Sequence, residues 1–247
     1  MIFPGKAGDA RGVSQPYNNK GFAQNPSASD VAAAFSGAGI VPAVVPKFAP
    51  SGILDAVFTV SDSQQMVNAT PGTNLTGQQT ASLPKFFFKS DSTISSDVEY
   101  VVAFVDPDAP TPQNQSLGQV RHFLGGGFHA DATSGLLTNN TPALSEYFKP
   151  GPPAGSDPHR YTILLYTQSK DFATKGPSLV NASTPITSFN ISAFADAVGL
   201  GEPIAGTFFF EGPSESAVEP AKGSAGRSEA VDRVAVLAFM LAVLLVQ

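Results

Sequence analysis

Residues 99–112, EYVVAFVDPDAPTP, decide the fold class, because an unbroken apolar run ends there at an acid that a proline follows directly. A run rich in β-branched and aromatic residues is typical of a buried strand. Pro107 forces Asp106 away from helical geometry, and Pro110 does the same to Ala109. The segment therefore predicts a buried strand that ends in a rigid loop carrying a carboxylate.

Similar apolar patterns recur along the chain, separated by clusters of Pro, Gly and Asn. These patterns predict strands over residues 53–60, 85–90, 99–105, 120–128, 160–167 and 204–211. Helical patterns occur only at residues 27–41, with Ser27 or Ser29 as the cap, and at residues 191–201, which begin beside Asn190. The sequence therefore predicts a mainly β chain with a few peripheral helices.

The composition divides the chain into one domain with tails. The 247 residues, 42% of them hydrophobic, can bury one sizeable core, which we place in residues 28–211. Residues 1–27 are rich in Gly, Asn, Gln and Pro and predict a flexible N-terminal segment. Residues 212–233 form a polar linker of Ser, Glu, Pro and Ala, and residues 234–247 form a hydrophobic C-terminal tail.

Charge and composition exclude several classes of protein. A net charge of −6, with 14 scattered Lys and Arg, leaves no basic stripe for nucleic acid. The chain has no cysteine, so it has no disulfide framework and no thiol nucleophile. LGGGFHA, residues 124–130, has the spacing of a dinucleotide-binding loop but no helical pattern after it, and G-x-S-x-G is absent. We therefore expect a binding protein without a cofactor, not an enzyme.

Asparagine usage predicts the cellular compartment. Six of the ten asparagines lie in N-x-S/T, which is more than the Ser and Thr content would give by chance. Polar loop composition is the alternative explanation. We expect passage through the secretory pathway and N-glycans on loops. The six candidate sites are Asn68, Asn74, Asn114, Asn139, Asn181 and Asn190.

The C-terminal tail has the layout of a glycosylphosphatidylinositol (GPI) attachment signal. Val234–Val246 is a 13-residue apolar run, shorter than the roughly 20 residues of a spanning helix. Small residues around Ser224 and a polar spacer precede it, so we expect lipid attachment at or near Ser224 and display at the cell surface. A short tail anchor or a core segment is the alternative. Because MIFPGKAGDARGV has no apolar signal-peptide region, secretion also implies a truncated or misassigned start.

Two of the three histidines lie in unusual positions. His122 falls within a strand pattern, and His159 lies where a Gly- and Pro-rich loop enters a strand. A carboxylate at the end of a buried strand needs a donor or a cavity, which makes Asp106 a candidate partner. Alternatively, Asp106 only caps its own turn. These three residues also have the composition of a metal site, but nothing in their spacing brings them together, and we expect no metal.

Several segments resemble the phosphatidylethanolamine-binding protein family, which includes Raf kinase inhibitor proteins, plant flowering regulators and the carboxypeptidase Y inhibitor. The flanking residues 38–58 and 194–210 also resemble family segments, so the likeness covers about residues 28–211. The segments that carry it, in order, are DPDAP at 106–110, RHFL at 121–124 and GPPAGSDPHRYTILLYTQ at 151–168.

The resemblance implies a fold and a site. The implied fold is a central antiparallel sheet packed on a smaller second sheet, with a small anion pocket at one end, in a monomer. The pocket binds phosphate or a phospholipid head group, for which histidine cations, tyrosine and backbone N–H groups are suitable donors. By likeness its residues are Asp106, His122, Gly151, Pro153, His159, Tyr161 and Phe209.

Two departures from the family pattern weaken the implied pocket. Phe208–Phe210 occupy a stretch where many members have a pocket tyrosine, and Pro150, which precedes Gly151, has no N–H to offer an anion. The resemblance therefore leaves a second function open. This is a protease inhibitor or another protein-interaction module in which the pocket is vestigial.

Overall fold

The computed structural model describes residues 26–90 and 92–214. The expectations for residues 1–25, for residues 215–233 with Ser224, and for the apolar tail lie outside the described residues. Within the described part, no helix is long and apolar enough to cross a membrane. In chain order the elements are α1 (Ala28–Gly37), α2 (Ile40–Ala43), β1 (Gly52–Thr59), β2 (Met66–Asn68), β3 (Thr73–Leu75), β4 (Lys85–Ser90), β5 (Glu99–Asp106), β6 (Val120–Ala130), β7 (Leu137–Thr138), β8 (His159–Thr167), α3 (Phe172–Leu179), α4 (Ile191–Val198) and β9 (Ala205–Glu211).

The strands form two sheets. The larger sheet has the order β3-β9-β8-β5-β6-β7, and the smaller one has the order β2-β1-β4. Every pairing is antiparallel except that of the edge strand β3, which lies parallel to β9. The mainly β architecture and the six predicted strands are confirmed, while the short strands β2, β3 and β7 had no visible sequence pattern.

Strand β5 lies at the centre of the molecule, with residues 100–106 all buried. On one face, Val101 packs in a core that includes α1 and α4. On the other face, Phe104 packs in a second core against the smaller sheet. Because both faces of β5 are covered, its sequence is a continuous apolar run instead of an alternating one.

The helices cover one face of the larger sheet. Ser27 caps α1 as predicted, and its side chain forms a reciprocal capping box with Asp30. Helix α4 ends at Val198, before Gly199, which adopts φ of 69°. Helix α3 contradicts the expectation of only two helical segments. It contains Pro177, which disfavours a helix interior, but Phe172 anchors it in the helical core.

Candidate anion-binding site

The candidate residues meet at one end of the larger sheet, on the face that packs against the smaller sheet. Because neighbouring strands run antiparallel, the end of β5, the start of β8 and the end of β9 share this edge. Asp106 is the last residue of β5, and His159 is the first of β8. His159 lies directly opposite Glu211, the last residue of β9. Strand pairing thus brings together residues that are far apart in the sequence.

Asp106 and His159 form a fully buried pair. The His159 Nδ1 lies 2.8 Å from the Asp106 Oδ2, and the two side chains are 0% and 1% exposed. The other carboxylate oxygen, Oδ1, accepts the Asp108 N–H at 2.8 Å. Asp106 therefore orients a histidine and caps its own turn, so the two alternatives from the sequence are both realised.

Ser156 holds the second nitrogen of His159. Its Oγ lies 3.0 Å from the His159 Nε2 and also donates to the Asp157 carbonyl at 2.7 Å. The His159 ring is thus fixed at both nitrogens by Asp106 and Ser156. His159 was predicted to contact the ligand directly. For that contact, Ser156 must either move away from the His159 Nε2 or bind the ligand together with His159.

His122 is the buried histidine with a free ring nitrogen. Its Nδ1 lies 2.6 Å from the Phe148 carbonyl, and a carbonyl only accepts, so this nitrogen carries the proton. The Nε2 is buried and has no hydrogen-bond partner. Burial lowers the pKa of His122, against opposing effects of Asp106 and the Phe148 carbonyl. The ring is therefore neutral at pH 7 before a ligand binds, which corrects the expectation of a histidine cation at this position.

Tyr161 contributes a hydroxyl group to the same cluster. Its ring packs edge-on against His122 at 5.2 Å and stacks on Phe209 at 5.3 Å. Burial raises the pKa of Tyr161 well above its ordinary value, helped by the charge of Asp106 and opposed by the Gly151 backbone N–H. The hydroxyl therefore stays protonated and can donate. Phe209 is fully buried beneath it and supplies packing without a polar atom.

The loop that precedes β8 carries the remaining candidate residues. Gly151 is exposed, and a Cβ built there would meet open space. Pro153 is half-buried, and Pro150 is buried. The Gly151 N–H donates a hydrogen bond to the Tyr161 hydroxyl. This exposed loop therefore contacts the buried residues of the site.

Glu211 is a member of the cluster that sequence reasoning missed. It is 1% exposed and accepts a hydrogen bond from the Thr80 Oγ1 at 2.7 Å. Burial raises the pKa of Glu211 to about 7, against the opposing effects of Thr80, Lys149 and His159. The signal was present in the sequence, because Glu211 ends an apolar strand as Asp106 does.

The described residues do not form a metal centre. Among residues 26–90 and 92–214, no group of three His, Cys, Asp or Glu side chains could hold a metal ion. His122 and His159 both lie in the cluster, but the nitrogens of His159 are already bonded to Asp106 and Ser156.

The candidate glycosylation sites lie at the surface with one exception. Asn68 and Asn74 lie in the short strands β2 and β3 and not in loops, although both are exposed, as are Asn114, Asn181 and Asn190. Asn139 is half-buried, and its Nδ2 donates to the carbonyls of Gly126 and Thr141 at 3.0 and 3.2 Å.

Comparison with known proteins shows the family of the chain. The family model described as phosphatidylethanolamine-binding protein matches residues 46–209, which is about two thirds of the chain. The chain belongs to the phosphatidylethanolamine-binding protein family. The match includes Asp106, His122, His159 and Tyr161 but stops two residues before Glu211.

Two curated relatives are similar to this chain over about half of its length. The putative odorant-binding protein A5 of Drosophila melanogaster is 33% identical over 127 residues, covering 51% of this chain and 58% of that protein. The carboxypeptidase Y inhibitor of Saccharomyces cerevisiae is 30% identical over 148 residues, covering 50% of this chain and 65% of that protein. The matches thus span about three fifths of each relative.

Solved structures show the same phosphatidylethanolamine-binding protein fold. The carboxypeptidase Y inhibitor in complex with its cognate proteinase superposes with a TM-score of 0.64 at 24% identity, covering 76% of this chain and 97% of that one. The phosphatidylethanolamine-binding protein from Plasmodium vivax gives a TM-score of 0.60 at 15% identity, covering 74% of this chain and 98% of that one. At these identities the likeness establishes the fold.

Proposed function

We propose that this member of the family is a non-enzymatic binding protein that holds phosphate or a phospholipid head group at the His122 cluster, the buried group formed by Asp106, His122, His159, Tyr161 and Glu211. The observation that carries the proposal is the buried Nε2 of His122, which has no partner. Leaving a buried polar atom without a hydrogen bond destabilises a fold by roughly 1–3 kcal/mol. A bound ligand that reaches this nitrogen removes the penalty.

The surrounding groups favour an anionic oxygen as that ligand. The Tyr161 hydroxyl is held protonated, and because its oxygen accepts the Gly151 N–H, its own proton can be donated to a ligand. Neutral His122 presents an acceptor, so it binds either a protonated phosphate oxygen or an anion that brings a proton to the ring. In both cases the complex contains a proton that is lost as pH rises, so the affinity for the ligand falls with increasing pH.

Glu211 acts in the same direction. Its carboxyl lies opposite His159 in the strand pairing, and its pKa is raised to about 7 by burial. Above that pH the ionised carboxylate repels an anion bound at the cluster, and below it the repulsion is absent. The proposed site therefore binds its ligand more tightly in mildly acid than in mildly alkaline solution.

A calorimetric titration of phosphoethanolamine into the full chain tests this function. His122→Phe keeps the ring that packs against Phe104 and Tyr161 but removes both ring nitrogens, and we expect it to lose binding. The matched control is His129→Ala, since His129 lies in the same strand but is half exposed and contacts Glu99 instead. Equal affinity in the wild type and His122→Phe would contradict the proposal. Native mass spectrometry of the purified protein shows in addition whether a phospholipid is already bound.

Protease inhibition is the second candidate function, favoured by the likeness to the carboxypeptidase Y inhibitor in sequence and fold. It predicts that the full chain inhibits carboxypeptidase Y at stoichiometric concentrations, with His122→Phe as potent as the wild type. Inhibition that is lost in His122→Phe would instead tie the two functions to one site. An inactive chain in this assay contradicts the second candidate.

We also propose that the protein is a monomer held at the outer cell surface by a GPI anchor. The support is the small-residue region at Ser224, followed by the apolar run Val234–Val246, together with the six N-glycosylation sequences. Expressed from its complete gene in a secreting eukaryotic cell, the protein should be released by a phospholipase that cleaves GPI anchors. Retention on the cells, with the C-terminal tail still detected by mass spectrometry, contradicts this anchor.

A further inference from the structure

Arg121 is a buried cation without an acidic partner. It is 2% exposed, and its Nη2 donates only to the main-chain and side-chain oxygens of Thr184 at 3.3 and 3.2 Å. Its Nε is buried and has no hydrogen-bond partner. Arg160, by contrast, donates to both carboxylate oxygens of Asp108 at 2.5 and 2.8 Å.

The charge of Arg121 is costly in this setting. Burial lowers the pKa of its guanidinium to about 10, and no ion pair among residues 26–90 and 92–214 includes it. The contact that partly offsets the cost is the face of Phe189, whose ring centre lies 5.0 Å from the guanidinium carbon. A buried charge is normally paired, so the absence of an internal acid points to an external one.

Arg121 lies in the wall of a cleft between α4 and the segment that follows α3. The cleft has a volume of about 630 Å³, within the size range of small-molecule sites. Its walls are mostly apolar and include Val180, Phe189 and Phe194. At its rim Leu179 is 45% exposed, one of three large hydrophobic side chains exposed among the described residues. The site thus combines one cation with an apolar surface.

We propose that this cleft binds an alkyl carboxylate of the fatty-acid type, with the carboxylate on Arg121 and the chain along Leu179 and Phe194. A planar guanidinium matches a carboxylate in a two-point hydrogen bond, and the single cation suits a single negative charge. The apolar part of the wall, which includes Val180, Phe189 and Phe194, buries methylene groups favourably.

The cleft is separate from the His122 cluster. Arg121 is paired with Val105 in the sheet, and Val105 belongs to the core on the helical face. His122 packs against Tyr161 and Phe104, which belong to the core on the other face. The two sites can therefore be disabled independently.

Calorimetric titration of the full chain with dodecanoate, below its micellar concentration, tests the proposal. Arg121→Met keeps the length of the side chain but removes the charge, and we expect dodecanoate affinity to fall by about tenfold or more. Ala197→Phe, which fills the cleft at an exposed position of α4, should weaken binding while leaving Arg121 in place. Dodecanol, which lacks the charge, should bind the wild type and Arg121→Met alike.

Folding and the other site serve as controls. Arg121→Met should melt at or above the wild-type temperature without ligand, because it removes an unpaired buried charge, and His122→Phe should bind dodecanoate normally. Equal dodecanoate affinity in the wild type and Arg121→Met overturns the proposal, as does the absence of saturable binding. Binding of a leucine-terminated peptide carboxylate without binding of dodecanoate overturns the alkyl assignment.

Discussion

Replacing Glu211 with glutamine removes a buried carboxyl whose pKa is raised by burial to about 7. Glu211 is almost fully buried, and glutamine keeps its shape and an oxygen that accepts from the Thr80 Oγ1. Because the folded-state pKa of Glu211 is raised, folding favours the protonated form. The resulting stability is fully present below pH 4.5 and is lost as pH rises through about 7.

The size of this effect follows from the two pKa values. Raising the pKa from 4.5 to about 7 corresponds to about 3 kcal/mol of unfolding free energy, since one pKa unit is worth about 1.4 kcal/mol. Glu211→Gln lacks the ionisable group, so its unfolding free energy does not fall for this reason as pH rises. We therefore expect the variant to match the wild type near pH 4.5 and to exceed it by about 3 kcal/mol at pH 8.5.

Urea unfolding of both proteins, at intervals from pH 4.5 to 8.5, measures this difference. Other titrating groups are common to the two proteins, so their contributions largely cancel in the comparison. Glu202→Gln is the matched control, because Glu202 is half exposed and paired with Lys47 at the surface. A difference between wild type and Glu211→Gln that is the same at every pH would refute the reasoning, since Glu211 would then titrate as a solvated group.

Two further predictions concern other residues. In Asp106→Asn, the amide NH2 faces either the His159 Nδ1–H or the Asp108 N–H, and each is itself a donor. We therefore expect the unfolding free energy to fall by about 1–3 kcal/mol, whereas Asp157→Asn, at an exposed position, should change it by less than about 0.5 kcal/mol. Equal losses for the two variants in urea unfolding would contradict the role of the buried pair. Both Nδ2 hydrogens of Asn139 are engaged in hydrogen bonds, so in protein from a secreting host we expect Asn139→Gln to leave the glycoprotein mass nearly unchanged. The control Asn114→Gln should remove one glycan. Loss of a full glycan in Asn139→Gln would contradict the prediction that Asn139 is not glycosylated.

The sheet strands could be predicted because burial on both faces leaves a clear record in the sequence. The β5 run from Tyr100 to Val105 is apolar throughout, and its strand was located to within one residue. Helix α3 could not be found in the same way, since Gly176 and Pro177 disfavour helices and the contacts of Phe172 are tertiary. The parallel pairing of β3 with β9 left no pattern in a three-residue strand.

The site was predicted in part, and mainly through the family resemblance. Asp106 and His159 were singled out from their positions in the chain, and the structure joins them in a hydrogen bond. Ser156 was missed because a serine in a polar loop carries no signal without the fold. The neutral state of His122 was also missed, since its burial and its bond to the Phe148 carbonyl depend on how a distant loop returns.

The state of the His122 ring gives the most direct test of the proposed site. Nitrogen NMR of ¹⁵N-histidine-labelled protein at pH 7 should show His122 neutral, with the proton on Nδ1 and none on Nε2, as its bond to Phe148 requires. On titration with phosphoethanolamine, we expect the Nε2 signal to move towards that of a protonated nitrogen, while the signals of exposed His129 stay fixed. A His122 Nε2 signal that does not change at saturating phosphoethanolamine would contradict the account.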